Sequence, residues 1–183
     1  MKRSLHTWER RSEERVYECR VFTVRRDRSF FSRDRAEHDF HVLECPDWVN
    51  IIPLTPTNEV VMVRQFRHGT RTLTLEIPGG MIDSVDASPL VAARREMVEE
   101  CGFDSDDVRP LGAIHPNPAL QANRCHTFVA YDVVPCAEPT FDSTEETEVV
   151  LVPFAEIPDR IRDGSITHAL VVVAFHWLGL DER

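Results

Sequence analysis

Gly79-Gly80-Met81-Ile82-Asp83-Ser84-Val85-Asp86 leads, through Ala87 and Ser88, into a run that closes as Arg95-Glu96-Met97-Val98-Glu99-Glu100-Cys101-Gly102-Phe103. This reads as a glycine turn, a short polar loop and a helix. Ser88 is a good N-cap and Pro89 suits the first helical position. Ala92 through Met97 are mostly strong helix formers, and Gly102 supplies the left-handed residue that stops the helix. Leu90, Ala93, Met97 and Cys101 are spaced to face a core. Glu96, Glu99 and Glu100 lie within one and a half turns, so they can converge on one point, on a different side from that stripe. Three carboxylates so close repel one another unless a cation sits among them, and hard oxygen ligands suit Mg2+ or Mn2+. Arg95 is placed to orient Glu99 by an i, i+4 pair. A solvated acidic helix face is the bland alternative; the glycine turn before the helix and the stop after it argue against it.

The rest of the composition sets bounds. The 183 residues suit one domain with a small N-terminal appendage. No apolar run reaches the ~18 residues of a membrane span. Met1 to His6 is basic without an apolar stretch behind it, unlike a secretory signal. A formal net charge of -10 argues against nonspecific nucleic-acid binding, which runs on Lys and Arg. The same charge looks wrong for an anionic substrate, unless bound cations become the largest local charges. Cys19, Cys45, Cys101, Cys125 and Cys136 are odd in number and scattered, with no C-x-x-C pair. They are expected to be reduced thiols in a cytoplasmic protein.

Along the chain, residues 1–15 are polar and expected to be frayed. Val16 to Val24 alternates like a strand, Asp27-Arg28-Ser29 reads as a turn, and Phe40 to Cys45 as a second strand. A small antiparallel sheet should therefore fill residues 1–45. Trp48–Ile52 and Val60–Val63 flank a turn at Pro56-Thr57-Asn58. Thr72–Ile77, Cys125–Val134 and Val149–Val152 are further strands. Phe154–Asp163 and Ile166–Leu180 should be helical. Strands alternating with three helical segments predict an α/β domain with helices on both faces of a mixed sheet.

The glycine–helix stretch resembles the signature of the Nudix hydrolases. Gly80 takes its first position, and Arg95 to Phe103 match its second half throughout. The signature's first Glu is Asp86 here, and eight residues rather than seven separate it from Arg95. Val63-Arg64-Gln65-Phe66-Arg67, Leu75-Glu76-Ile77-Pro78-Gly79-Gly80 and Pro46-Asp47-Trp48-Val49-Asn50 are similar to the ADP-ribose pyrophosphatase and nucleotide-sugar branch. The resemblance implies a Nudix α/β/α sandwich over residues 46–183. It also implies an N-terminal β segment, residues 1–45, used for homodimerisation.

The resemblance further implies metal-dependent hydrolysis at a diphosphate. The expected substrate is ADP-ribose or a nucleotide sugar, cut into a nucleoside monophosphate and a sugar phosphate. Glu96, Glu99 and Glu100 would hold Mg2+ or Mn2+, with a backbone carbonyl from Gly79. Arg95, Glu99 and Glu100 would be catalytic. The base in this branch comes from a later loop, here Glu145, Glu146 or Glu148, with Glu146 taken as the candidate. Arg67 follows a strand expected to end near the site, and its guanidinium suits phosphate. Arg64 is a weaker candidate, and Glu76 could accept from a ribose or base. His126 is expected to make a structural hydrogen bond. Two rivals stand beside this reading. A nucleotide-sensing module would have lost box carboxylates that this chain keeps. A house-cleaning triphosphatase is disfavoured by the flanking motifs and the N-terminal sheet.

Overall fold

The computed structural model describes residues 5–140 and 146–181. Twelve strands and three α-helices occur among them. The strands are β1 (Trp8–Glu18), β2 (Thr23–Phe31), β3 (Ala36–Glu44), β4 (Trp48–Pro53), β5 (Glu59–Arg67), β6 (Thr72–Glu76), β7 (Gly79–Met81), β8 (Phe103–Asp104), β9 (Asp107–Ile114), β10 (Cys125–Tyr131), β11 (Val134–Pro135) and β12 (Thr147–Pro153). The helices are α1 (Pro89–Cys101), α2 (Ile157–Arg162) and α3 (Ala169–Asp181). The chain divides into two compact units. One is Met1–Pro46 with His115–Asn123, and the other is Asp47–Ile114 with Arg124–Arg183.

The first unit is the antiparallel sheet β1-β2-β3. The main chain of Leu43 in β3 exchanges hydrogen bonds with Leu120 and Ala122, at 2.7 and 3.1 Å. Trp8 stacks on Phe31 at 4.3 Å and meets Phe40 edge-on at 4.9 Å. Two expectations fail here. Residues 8–15 are strand rather than frayed, and Asp27-Arg28-Ser29 lies inside β2 rather than in a turn. Every residue of β1 is exposed, so the strand has no alternating pattern to betray it. Asp27 is buried because Arg25 grips both its oxygens, at 2.7 and 2.9 Å.

The second unit carries a mixed sheet, β7-β4-β10-β9, in which β4 and β10 run parallel and the other neighbours antiparallel. An antiparallel sheet, β12-β5-β6, accompanies it. Because side chains alternate along a strand, β4 and β5 feed two separate cores. Ile52, Val60 and Met62 pack with Val171, Ala174 and Leu178 of α3. Val49, Ile51, Val61 and Val63 pack with Ala92, Ala93 and Met97 of α1. Helices thus cover both faces, as expected of an α/β/α sandwich. The predicted turn joins β4 to β5 through Asn58, at φ 60°, and the Leu54–Val60 bridge. Strand β9 escaped sequence reading, since Arg109, Pro110 and Gly112 are poor strand signals. Leu90 is exposed, and Ala92 takes the place expected of it in the core.

Helix α1 is fixed at both ends. The Ser88 hydroxyl accepts from Val91 N–H, and Gly102 closes the helix at φ 72°. Arg94 grips both oxygens of Asp104, at 3.0 and 2.8 Å, tying α1 to β8. The Gly102 carbonyl accepts from the N–H groups of Cys136 and Ala137. A Cβ on Gly102 would stand 2.2 Å from Ala137 O. Gly102→Ala should therefore lower stability by more than about 1 kcal/mol, through both the positive φ and the clash. Urea unfolding checks this, and an unchanged midpoint would contradict it.

Candidate active site

Strand β7 is a ribbon with almost no side chains where it passes α1. A Cβ on Gly80 would fall 2.4 Å from Glu96 Oε1, so that carboxylate occupies the space glycine leaves. A Cβ on Gly79 would meet Val49 O at 2.4 Å, so glycine is also required by the pairing of β7 with β4. Gly79 N–H donates to Glu100 Oε2 at 2.9 Å. Glu100 is therefore buried, with Ala92, Ala93, Met97 and Cys101, rather than on a separate side of the helix. The helical pattern alone could not reveal this, because the gap that admits the carboxylate belongs to β7.

Arg95 organises the outer half of the site. Its Nη1 donates to Glu99 at 2.8 Å, the i, i+4 pair read from the sequence, and to Glu96 at 3.0 Å. Its Nε and Nη2 reach the two oxygens of Asp86, at 3.2 and 3.0 Å, and Nη2 also reaches Met81 O. The Asp86 side chain is only 3% exposed, and its Oδ2 also accepts from Asp83 N–H. Arg95 holds the Asp86 carboxyl below the usual range. Asp86 in return, with Glu96 and Glu99, raises the guanidinium far above where it could lose a proton. Asp86 thus locks the arginine that aims Glu99. Burial pushes the Cys101 thiol, at the end of α1, up to about 12, so it stays neutral and unreactive.

The acidic loop returns to this helix at both its ends. Thr140 N–H donates to Glu99 O at 2.8 Å, and the Thr147 hydroxyl donates to Glu100 O at 3.0 Å. Glu146, exposed, directly precedes Thr147. Glu145 lies outside the described residues. Glu148 is on β12, where Arg64 Nη1 donates to it at 2.8 Å. Arg64 and Glu148 pair across the face of β5–β12 opposite to Val63 and Val149, which pack toward α1. That turns both away from the helix carrying the glutamates. Of the two later-loop glutamates among the described residues, Glu148 points away from α1 and Glu146 sits beside the Thr147 contact. The sequence announced neither threonine contact with the helix carbonyls.

Arg67 and Glu76, read separately as substrate contacts, are partners of each other. Both guanidinium N–H groups reach the Glu76 oxygens at 2.8 Å, and the Thr74 hydroxyl donates to Oε1 at 2.7 Å. Glu76 is 2% exposed, so it is a buried ion-pair member rather than an open acceptor. Burial pushes its pKa up, but Arg67 and Thr74 outweigh that and hold it below the usual value. His168 Nε2 stands 4.0 Å from Glu76, and burial keeps its ring toward the neutral form. The Arg67 side chain remains 42% exposed. His126 meets Asp47 at 3.1 Å, a structural bond between the starts of β10 and β4, as expected.

The donor set is all hard oxygen. Asp86, Glu96, Glu99 and Glu100 bring four carboxylates around Arg95 in a site lined by β7 main chain. A hard-oxygen set of this kind and the Gly80 cradle fit a divalent cation. Among the described residues, however, no three His, Cys, Asp or Glu side chains are gathered about one point as a metal cluster. Arg95 supplies part of the positive charge that the crowded carboxylates require.

The NUDIX domain model matches residues 46–170. An ADP-ribose pyrophosphatase of Bacillus subtilis is 25% identical, over 77% of this chain and 76% of its own length. A GDP-mannose pyrophosphatase of Salmonella typhimurium is 26% identical, over 91% of this chain and 92% of its own. The crystal structure of an ADP compounds hydrolase superposes with a TM-score of 0.85 at 26% identity, covering 97% of this chain and 95% of that one.

Two expected outcomes follow from the ion pairs. Arg67→Ala strands a buried carboxylate and should cost about 2–3 kcal/mol at pH 7, a buried-pair loss discounted for the exposure of Arg67. Because Arg67 holds the folded pKa of Glu76 below its unfolded value, the pair's stability is present above about pH 4.5 and fades as pH falls through the folded value. The difference between wild type and Arg67→Ala in urea unfolding should therefore shrink toward pH 3. A pH-independent difference would contradict this account. Asp86→Ala should leave the fold intact but release Arg95, so that activity falls while far-ultraviolet circular dichroism stays unchanged.

Proposed function

The chain belongs to the NUDIX family of hydrolases, and from that premise we propose that it cuts the pyrophosphate bond of a nucleoside diphosphate linked to a sugar. ADP-ribose or a nucleotide sugar is the substrate, and a nucleoside monophosphate and a sugar phosphate are the products. The observation that carries this reading is the seating of Glu96 and Glu100 on the bare Gly79–Gly80 ribbon, with Arg95 clamped beside them. The relatives named for ADP-ribose and GDP-mannose support the substrate class.

Nudix hydrolases generally use divalent metal ions. Glu96, Glu99 and Glu100, with the Gly79 carbonyl, would hold Mg2+ or Mn2+ here. Such an ion neutralises diphosphate charge and acidifies a bound water. The chain's own residues do the rest. Arg95 aims Glu99, and Gly79 N–H fixes one oxygen of Glu100. Glu146 is our candidate base, since the loop that ends at it is fastened to Glu99 and Glu100 through Thr140 and Thr147. The exposed side of the Arg67 guanidinium is our candidate phosphate contact, with Glu76 holding it in place. Arg64 serves as a surface pair with Glu148.

We further propose a homodimer, built on the N-terminal sheet, and a reducing compartment such as the cytoplasm. None of the five cysteines is in a disulfide. No helix among the described residues is long and apolar enough to cross a membrane.

A hydrolysis panel tests the assignment. ADP-ribose, nucleotide sugars and nucleoside triphosphates would be offered with Mg2+ or Mn2+ and with a chelator, and products weighed by mass spectrometry. Metal-dependent release of a nucleoside monophosphate and a sugar phosphate is expected. Cleavage of triphosphates alone would overturn the substrate class, and binding without turnover would overturn the activity. Glu99→Gln and Glu100→Gln should each lower kcat about 100-fold or more at saturating metal, with the fold retained. Wild-type turnover in either variant would remove that residue from the mechanism.

A further inference from the structure

The two oxygens of Glu76 are unequally engaged. Oε1 accepts from Arg67 Nε and from the Thr74 hydroxyl, at 2.8 and 2.7 Å. Among the described residues, Oε2 accepts from Arg67 Nη2 alone, at 2.8 Å. A carboxylate oxygen has room for a second donor. His168 Nε2 stands 4.0 Å from Oε2, just outside hydrogen-bond reach. The other ring nitrogen, Nδ1, is buried and has no hydrogen-bond partner among the described residues.

Main chain decides where this ring hangs. The His168 carbonyl accepts from Val171 and Val172 N–H, in the first turn of α3, at 3.0 and 3.1 Å. The Asn50 amide donates to Leu170 O at 3.4 Å, which fastens the same turn to β4. The half-buried ring is thus held beside the ion pair without a hydrogen bond of its own. Burial presses it toward the neutral form, Glu76 on β6 opposes that, and Arg67 on β5 adds to it. While Arg67 and Glu76 cancel each other, a neutral ring suits the cluster.

An anion at the exposed side of Arg67 upsets that balance. It screens the arginine's repulsion of a proton on the ring and adds attraction for one. We propose that His168 is a positioning residue, which takes up a proton when a diphosphate binds at Arg67 and closes on Glu76 Oε2 as it does so. Glu76 then holds Arg67 from one side and is itself held from the other by the start of α3. The inference deepens the substrate reading above and rests on it. Linkage makes the effect reciprocal: the proton must tighten the anion by the factor by which the anion tightens the proton. A diphosphate diester keeps its charge constant around neutral pH, so the proton change belongs to the protein. A ring that only filled space beside α3 would show no such coupling.

The test follows the His168 ring by nuclear magnetic resonance in histidine-labelled protein. The chain has eight histidines, and the His168 signals are those lost in His168→Gln. The first measurement needs no ligand. In Arg67→Ala, or in Arg67→Gln where the alanine variant does not fold, His168 becomes the cation left beside Glu76. Its proton affinity should then rise at least about tenfold over wild type. The second measurement adds ADP-ribose or GDP-mannose, whichever the hydrolysis panel shows to be cut, to wild type in chelator and to Glu99→Gln with Mg2+. Saturation should raise the proton affinity of His168 about fivefold or more. The Kd of the same compound should weaken by that factor as pH is raised through the His168 titration, and His168→Gln should lose that dependence. A titration unmoved by loss of Arg67 would overturn the coupling of ring and ion pair. A titration unmoved by the bound compound would overturn the link and leave the substrate reading standing. A pH-dependent Kd that persists in His168→Gln would assign the proton to another group and remove His168 from the site. Failure of both compounds in the hydrolysis panel would overturn the substrate reading, and this link with it, whatever the ligand-free titration shows.

Discussion

The candidate site depends on one close approach, that of the Gly79–Gly80 main chain to helix α1. Glu100 is nine-tenths buried, and a buried carboxylate costs several kcal/mol unless it is compensated. The ribbon compensates in two ways. It has no Cβ where the carboxylates must lie, and it turns a main-chain N–H toward Glu100. A charge-assisted hydrogen bond contributes about 1.5–3 kcal/mol toward offsetting the desolvation. A cation bound there, as proposed, would offset it further. Binding and folding stability are linked at such a site, since a ligand that binds only the native state stabilises it.

Arg95 is the second constraint, and its anchor shows how a departure from a signature can be absorbed. Asp86 is one methylene shorter than the glutamate of the Nudix signature, and the loop before the helix is one residue longer. Both carboxylate oxygens nonetheless reach the guanidinium. A guanidinium held from one side by Asp86 has its other amino group left to bind Glu96 and Glu99. The planar fork of arginine makes this division possible, and a lysine could not reproduce it.

The helix and its glutamates were legible because cap, stop and ligand spacing all lie within one short stretch. What the sequence hid were the facts that depend on a second element. Helical periodicity could not tell that Glu100 is buried, since the space comes from two glycines on β7. Arg67 and Glu76 each looked like a contact for substrate. Their mutual bond depends on β5 and β6 pairing in a register that sets Val63 opposite Glu76. Residues 8–15 of β1 were hidden for the opposite reason, because with every residue exposed they carry no alternation of buried and solvated positions. Asp27-Arg28-Ser29 has turn composition, yet lies within β2, because pairing on both sides and the Arg25–Asp27 bond override local preference.

The buried carboxylates fall into two kinds of environment. Asp27, Glu76 and Asp86 each face an arginine that grips both oxygens: Arg25, Arg67 and Arg95. Such bidentate pairs each fix a piece of backbone or another side chain. Glu96 and Glu100 lie instead against the main chain of β7, where the partial charge of an N–H is far smaller than that of a guanidinium. Arg95 reaches Glu96 with one nitrogen that it also gives to Glu99. Arginine pairs thus fix Asp27, Glu76 and Asp86, while Glu96 and Glu100 are set against the bare ribbon, the place we propose for a divalent cation.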